Sequence, residues 1–444
     1  MALNLTQGTP FVTIFRFTLP VIAGNLFQLF YTIVDSIIVG QVLGADALAA
    51  VGATSIIIGF IICFIQGYTG GFGICLGQMV GRRNTKGIWH SLAASVLLCV
   101  VFTVFATMSS TLLLPQILVL LNTPAEIYDM AYEYIFIILA GTVAPVFYNM
   151  ISNILRAFGD SRTPLVYLVF SSILNIVLDL VFIGPLQMGV AGAAWATVLA
   201  QLLSAILCTL SGLRHIRLMR LSVDDFHLPP GTCRRHLHIA LPMGFQLSVM
   251  CLGLIAMQGA VNALGPAAIA GYTAATRLDQ VAVLVNTAFS MSLSSYVAQN
   301  YGAGLFGRIR EGMYASLIQA SIANVLMGVA LVFGRHYIVP LFVNTPTAEI
   351  CWYGETFLLM VAPFYLLEGA LLVHRAAIQG MNKPKIPFMA CMIELLGRVG
   401  ATVILSRYIG YIGICLATPI AWFGACLLLI PMYHKITRHL YEPH

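Results

Sequence analysis

The chain has 444 residues, of which 59% are hydrophobic and only 9% are charged, and its mean hydropathy is +0.92. A soluble domain carries about 25% charged residues, so this composition excludes an ordinary soluble protein and indicates one whose main solvent is lipid. The net charge of +6 does not require an acidic partner, because the placement of the basic residues gives it another explanation.

Apolar runs of about 20 residues or more, long enough to cross roughly 30 Å of hydrocarbon, follow one another along the chain. They predict an all-α membrane protein with about twelve transmembrane helices. The predicted spans are 12–40, 51–80, 88–114, 131–157, 164–185, 188–213, 237–262, 270–301, 311–342, 352–380, 386–407 and 411–433. Residues 1–10 lack the features of a signal peptide, so we expect the first run to remain as a span.

Basic residues fall on one side of the predicted spans. If the N-terminus is cytoplasmic and the spans alternate, the 22 lysines and arginines all lie in cytoplasmic segments except Arg277, Arg335, Arg398 and Arg407. The positive-inside rule describes this asymmetry. We therefore expect a multi-pass protein of the plasma (inner) membrane with both termini in the cytoplasm.

The two halves of the chain repeat one another at a shift of about 221 residues. The matching pairs include Leu43 and Leu264, Gly44 and Gly265, Gly159 and Gly380, Gly189 and Gly410, and Thr197 and Thr418. Since each half has an even number of spans, the copies share one orientation, an arrangement typical of transporters with a cavity between the halves. We predict an N-lobe at 1–213 (spans 1 to 6), a cytoplasmic connector at 214–236, a C-lobe at 237–433 (spans 7 to 12) and a cytoplasmic tail at 434–444.

Polar side chains inside the spans mark the candidate site, since ionisable groups are costly in hydrocarbon. Asp35 and Asp179 each lie about five residues before the outer end of a span, so they share a similar depth. Asn175 lies one helical turn before Asp179, and Thr197 reaches a comparable depth. These oxygens suit either a Na⁺ ion or a proton shared by two carboxylates. The alternative is two separate acids, each hydrogen-bonded within its own packing.

Other polar residues in the spans leave two interpretations open. Glu368 is a candidate for lining a cavity, whereas Glu394 and Arg398 stand four residues apart, in the order that favours a pair within one helix. Four further candidates either line a central cavity or form hydrogen bonds between helices. These are Gln28, Asn149, Asn153 and Gln246. Pro20, within the first span, removes a backbone hydrogen bond and can bend its helix.

Six short motifs spread along the chain carry a resemblance to a known family. They are Leu19-Pro20, Tyr31–Asp35, Gly40–Gly44, Leu155–Pro164, Leu174–Asp179 and Gly189–Thr197. Together they resemble the multidrug and toxic compound extrusion (MATE) family, and most of all its DinF-like branch.

That resemblance implies a transporter that exchanges extracellular Na⁺ or H⁺ for cytoplasmic organic compounds, often cationic and amphipathic. The cation site of the branch falls on Asp35, Asn175, Asp179 and Thr197, and its helix-bending proline falls on Pro20. The NorM-like branch uses an acid on the seventh span, where this chain has Gln246. Its acid on the tenth span matches Glu368, which leaves a second ion site open.

The expected partners are small organic substrates and the lipid bilayer, with neither a nucleic acid nor an obligate protein partner. We expect no cofactor besides the coupling ion, Na⁺ or H⁺. A flippase for a lipid-linked sugar is the nearest alternative, although few basic residues lie within the spans. The sequence contains no HExxH or GxSxG motif, which argues against a membrane-embedded enzyme. A receptor or scaffold would show binding without net transport.

Overall fold

Fourteen α-helices dominate a computed structural model that describes residues 3–120, 123–343 and 346–441. The helices are α1 Pro10–Leu43, α2 Ala45–Gly81, α3 Thr85–Leu120, α4 Ala125–Ala140, α5 Val143–Ala157, α6 Arg162–Ile183, α7 Gly189–His215, α8 Thr232–Asn262, α9 Pro266–Gly302, α10 Phe306–Ile338, α11 Ala348–Val361, α12 Tyr365–Gly380, α13 Lys385–Ile409 and α14 Tyr411–Tyr441. The all-α prediction is therefore confirmed. The last part of the predicted tail, 442–444, lies outside the described residues.

The helices are long and apolar enough to make this a membrane protein. Within the described ranges, eleven helical segments are long and apolar enough to cross a bilayer, and the bent pair of α4 and α5, counted as one span, brings the total to twelve. The prediction of about twelve spans is thus confirmed. Helices suit this solvent because they satisfy the backbone polar groups internally, where lipid offers no hydrogen bonds.

Two of the predicted spans are broken in the middle. The fourth ends as α4 at Ala140 and resumes as α5 at Val143, with an angle of 43° between the two helices. In the tenth, a 3-10 turn at Ala362–Phe364 separates α11 from α12. Pro363 lies in that turn and has no backbone N–H to give to an α-helix. The sequence predicted both as single spans, because a break of two or three residues leaves the apolar run intact.

The sequence repeat is visible in the turns between helices. Gly44 and Gly265 precede α2 and α9 with φ of 91° and 100°, and Gly189 and Gly410 have φ of 60° and 58°. Residues with a side chain rarely adopt a positive φ, whereas glycine adopts it freely. Matched glycines therefore give both halves the same chain reversals.

The chain packs as two compact units. The first contains Leu3 and Leu19–Gly244, and the second contains Asn4–Thr18 and the described residues from Phe245 onward. Both α1 and α8 therefore start in one unit and end in the other. The units are defined by packing, whereas the predicted lobes are defined by the sequence repeat, so the lobe boundaries stay a prediction.

In the first unit, the start of α8 packs against glycines of α2. A Cβ atom on Gly67 would lie 2.2 Å from the carbonyl oxygen of Met243, and one on Gly71 would lie 2.5 Å from the Cα of Ala240. The two glycines are four residues apart and so lie on one face of α2. Small residues at this spacing allow two helix backbones to come into contact within a membrane.

In the second unit, polar side chains hold the start of the chain in place. Arg308 donates hydrogen bonds to the carbonyl oxygens of Gly8 (2.9 Å) and Gln7 (3.2 Å) and to the side chain of Asn300 (3.1 Å). Asn300 in turn donates to the carbonyl oxygen of Leu5 at 3.1 Å. These hydrogen bonds to backbone carbonyl oxygens hold the segment that leads into α1 in place.

A buried charge cluster joins α12 to α13 in the second unit. Glu394 accepts hydrogen bonds from Arg375 (2.8 Å) and from Arg398 (3.1 Å), and all three side chains are nearly inaccessible. The predicted pair within α13 is present, but α12 adds a third charge. Each arginine depends on the same carboxylate, since buried charges are costly unless they are paired.

We expect Gly71→Ala to destabilise the protein, whereas Gly70→Ala should not. A methyl group at Gly71 collides with the backbone of α8, but one at Gly70 would lie 3.5 Å from the flexible end of Met243, an ordinary contact. The thermal unfolding midpoint of the purified protein in detergent measures the difference. Equal midpoints for the two variants would show that α8 does not depend on this close approach.

We expect Glu394→Gln to lower the free energy of unfolding by about 3 to 5 kcal/mol, because two buried arginines lose their common carboxylate. The exposed Glu311 of α10 provides the control, as Glu311→Gln removes the same charge at the surface. Chemical denaturation in micelles measures both variants. A loss no larger than that of the control would mean that Glu394 does not stabilise the arginines.

Candidate functional site

Two of the predicted site residues lie side by side on α6. Asp179 has 0% of its surface exposed and Asn175 has 2%, so neither is solvated by bulk water. Their spacing of four residues stacks them on one face of the helix. The sequence therefore places a carboxyl group and an amide together in the interior of the first unit.

Thr197 on α7 adds a hydroxyl group to this face. The Nδ2 atom of Asn175 donates a hydrogen bond to its Oγ1 atom at 3.4 Å. Helices α6 and α7 are neighbours in the first unit, joined by a short turn, and this packing brings the two side chains together. The amide is oriented by this bond, which leaves its oxygen, Oδ1, available on the other side.

Asp35 completes the group from α1. Its carboxyl group lies close enough to that of Asp179 for the two groups to interact directly. Two ionised carboxylates can only accept, so a bond between them requires a shared proton. Among the described residues, neither oxygen of Asp179 receives a hydrogen bond from a donor, and the same holds for Oδ1 of Asp35 and Oδ1 of Asn175.

Two tyrosines lie near the carboxylates, and neither was predicted from the sequence as a site residue. Tyr31 lies one turn before Asp35 on α1 and shares a hydrogen bond with Gln201 of α7. Tyr134 of α4 is buried and packs in one core cluster with residues of α1 and α6. The spacing of Tyr31 from Asp35 was a usable signal. Nothing in the sequence placed α4 next to α1.

A polar cavity opens from this group into the first unit, with about 50 Å³ of room for water. A water molecule needs roughly 10 to 15 Å³ by this measure, so the cavity can hold a few. Asn175 and Thr197 form part of its wall, together with two of the predicted cavity residues, Gln28 and Asn149. The other polar lining residues are Tyr31, Gln66, Tyr148, Ser171, Ser172 and Gln201.

Two further predicted cavity residues form hydrogen bonds away from this wall. Asn153 donates to Oγ1 of Thr69 at 3.0 Å in the first unit. Gln246 is buried in the second unit and accepts a hydrogen bond of 3.0 Å from Gln379. Both side chains join neighbouring helices by hydrogen bonds.

Glu368 lies in a separate polar cluster of the second unit. It accepts a hydrogen bond of 2.9 Å from Asn286, which is itself bonded to Asn324. Nearby, Tyr365 donates to Asp279 at 2.7 Å. The structure thus gives Glu368 and Asp279 protein donors, whereas both oxygens of Asp179 and Oδ1 of Asp35 have none within the described part of the chain.

Pro20 lies within α1, which runs as one helix from Pro10 to Leu43 in this conformation. The division of α1 between the two units falls just before it, after Thr18. A change in the bend of α1 at this residue stays a prediction.

The site offers oxygen atoms of three kinds, from carboxylates, an amide and a hydroxyl. Such hard ligands suit a small hard cation, and the facing carboxylates equally suit a proton. Two ionised carboxylates close together in this buried position are costly, so we expect Asp35 and Asp179 to hold one proton or one cation between them. The chemistry available is the reversible binding of one small cation or proton, with no nucleophile or leaving group required.

Both halves of the chain match a known family. The MatE family model matches residues 20–181 and, separately, residues 242–422. One match in each half agrees with the repeat found in the sequence.

Individual relatives cover nearly the whole chain. The probable multidrug resistance protein YpnP of Bacillus subtilis (strain 168) is 30% identical over 441 residues, covering 98% of this chain and 97% of its own length. The DNA damage-inducible protein F of Escherichia coli (strain K12) is 23% identical, covering 86% and 85%, which is consistent with the DinF-like branch. A solved outward-facing multidrug resistance MATE transporter shares the fold, with a TM-score of 0.91, 23% identity and 98% coverage of both chains.

These matches confirm the resemblance noted in the sequence. They do not favour a flippase for lipid-linked sugars, and the family consists of transporters, not enzymes. The chain, with one MatE domain match in each half and a relative 30% identical over almost its full length, belongs to the MATE family of multidrug transporters.

Proposed function

We propose that this protein exports organic compounds, often cationic and amphipathic, in exchange for Na⁺ or H⁺ that enters the cell, and that the ion binds at Asp35, Asn175, Asp179 and Thr197. The observation that carries the proposal is the carboxyl group of Asp179, which is fully buried and has no protein donor within the described residues. A buried carboxylate without a donor needs a cation or a proton. In this proposal the protein lies in the plasma membrane with both termini in the cytoplasm.

The coupling follows from charge. When the ion leaves, two facing carboxylates repel each other, and the packing between α1 and α6 becomes unfavourable. When one Na⁺ or one proton binds, its positive charge compensates one of the two carboxylates, the repulsion between them is relieved and α1 can pack closely. A drug that prefers one of these two arrangements of α1 is then in competition with the ion, and the coupling is reciprocal. A coupling free energy of about 1 to 3 kcal/mol is enough for the ion and the drug to lower each other's affinity measurably, while the ion gradient drives the exchange.

Pro20 and the polar cavity extend this mechanism. The missing N–H of Pro20 weakens the helix at the place where α1 passes from one unit to the other, so movement there costs less than in a regular helix. Gln28, Tyr31 and Gln201 on the cavity wall can form hydrogen bonds with the water molecules around an ion that approaches Asn175 and Thr197.

We expect Asp35→Asn and Asp179→Asn each to abolish gradient-driven transport, because an amide cannot exchange a proton or neutralise a cation. The protein is reconstituted in liposomes loaded with a fluorescent cationic dye, with equal ion concentrations on both sides. A Na⁺ gradient and a proton gradient are then imposed separately, and dye flux is followed. Flux under one gradient names the coupling ion.

The matched control for this experiment is Asp46→Asn, an exposed acid in the first turn of α2. It should transport dye as the wild type does. Gradient-driven flux that persists in both site variants would contradict the proposed coupling site, and wild-type dye movement without dependence on either gradient would contradict antiport.

We expect Thr197→Val to separate Na⁺ coupling from proton coupling. The hydroxyl group can be a ligand of a metal cation. A hydrogen bond or ligand to a charged group contributes roughly 1.5 to 3 kcal/mol, so loss of the hydroxyl should weaken Na⁺ binding by about tenfold or more. A proton needs only the carboxylates and should be affected little. The measurement is the ion concentration, or pH, that gives half-maximal dye exchange.

Thr197→Ser keeps the hydroxyl group and serves as the control. If Thr197→Val and Thr197→Ser both resemble the wild type under a Na⁺ gradient that drives transport, Thr197 is not a ligand of the coupling ion.

A further inference from the structure

The connector between α7 and α8 is an ordered surface that the transport mechanism does not use. It contains two 3-10 turns, at Arg217–Met219 and Val223–Phe226. Both turns pack against α3 within the first unit. Because the connector joins two spans directly, it lies close to the lipid headgroups on its side of the bilayer.

Apolar contacts fix this connector to the first unit. Met219 is buried and lies against Gly212 near the end of α7, where an added Cβ atom would come within 2.7 Å of the methionine methyl group. Leu218 and Leu221 pack onto the same core. The Nε atom of Arg220 donates to the carbonyl oxygen of Leu213 at 3.1 Å. The segment therefore presents a defined face to its surroundings.

That face carries two exposed apolar side chains. Val223 is 83% exposed and Phe226 is 45% exposed, although both belong to an ordered turn. Residues three apart in a 3-10 helix lie directly above one another, so the two side chains form one apolar ridge. A hydrogen-bonded cap supports the ridge, since Ser222 donates to the carboxylate of Asp225 from its backbone (2.7 Å) and its hydroxyl (2.9 Å).

Exposed basic residues flank the ridge along the chain. Arg214, Arg217 and Arg220 precede it and Arg234 follows it, all of them exposed. Two acidic residues, Asp224 and Asp225, lie in the same segment, and the carboxylate of Asp225 already accepts the hydrogen bonds from Ser222. The segment thus combines exposed basic side chains with an exposed apolar ridge, the combination that binds an anionic membrane surface.

We propose that this connector face, defined by Arg214, Arg217, Arg220, Val223 and Phe226, binds anionic phospholipid of the adjacent leaflet. Val223 and Phe226 insert at the boundary between headgroups and acyl chains, and the guanidinium groups contact the lipid phosphates. Arginine is suited to this role, because its planar group donates two parallel hydrogen bonds to a phosphate. The positive charge of these arginines and the position next to the bilayer favour lipid over a soluble partner.

Binding of phosphatidylglycerol to the purified full-length protein tests this proposal. The dissociation constant is measured in detergent by native mass spectrometry, with phosphatidylcholine as the neutral lipid and inorganic phosphate as the soluble anion. We expect binding of phosphatidylglycerol in preference to both, weakened by added salt. Equal binding of the two lipids, or binding of phosphate alone, would overturn the proposal.

The double variant Arg214→Gln with Arg217→Gln should weaken phosphatidylglycerol binding roughly 30-fold, from the usual contribution of basic residues near a membrane surface. It leaves the structural bond of Arg220 intact. Val223→Ser with Phe226→Ser tests the ridge and should also weaken binding. The control is Arg407→Gln, an exposed arginine near the end of α13. Wild-type affinity in both double variants, or an equal loss in the control, would show that the lipid binds elsewhere.

Discussion

Lipid offers no hydrogen bonds, so every polar group that this chain carries into the bilayer must find its partner within the protein or bind one from outside. The two units answer this constraint differently. In the second unit, Glu394 is matched by two arginines and Glu368 by an asparagine. In the first unit, Asp179 is buried with no donor among the described residues. The paired acids of the second unit stabilise the fold, whereas the buried carboxyl group of Asp179 in the first unit is suited to an exchangeable ion.

The sequence repeat makes this difference informative. At a shift of 221 or 222 residues, Thr197 corresponds to Thr418, but Asp35 corresponds to Met257 and Asp179 to Gly400. In the second unit Thr418 lies 3.3 Å from the sulfur of Met257, so a thioether occupies the position of a carboxylate. One copy of the duplicated unit therefore keeps the acid pair, and the other replaces it with packing.

The same comparison holds for the charges of the second unit. Glu368, Glu394 and Arg398 correspond to Phe147, Ile173 and Val177 in the first half. The two copies share their glycine turns and have helices of similar length, yet their buried polar groups lie at different positions. A duplicated helical frame tolerates this, because the backbone is satisfied within each helix whatever the side chains do. Chemistry could diverge between the halves without loss of the fold.

Apolar runs, charge placement and self-comparison of the chain were enough to predict the class of protein, the number of spans and the internal repeat, and they singled out Asp35 and Asp179 as a pair at similar predicted depth. Length of apolar runs and distance from a span end require no knowledge of packing. Only the packing of the helices shows that Asp35 and Asp179 lie close together, that Tyr134 packs against α1 and α6 and that Arg375 completes the charge cluster. These depend on the rotation of each helix about its axis and on which helices are neighbours. A helix that is apolar on nearly every side carries little periodic signal of which face meets a neighbour.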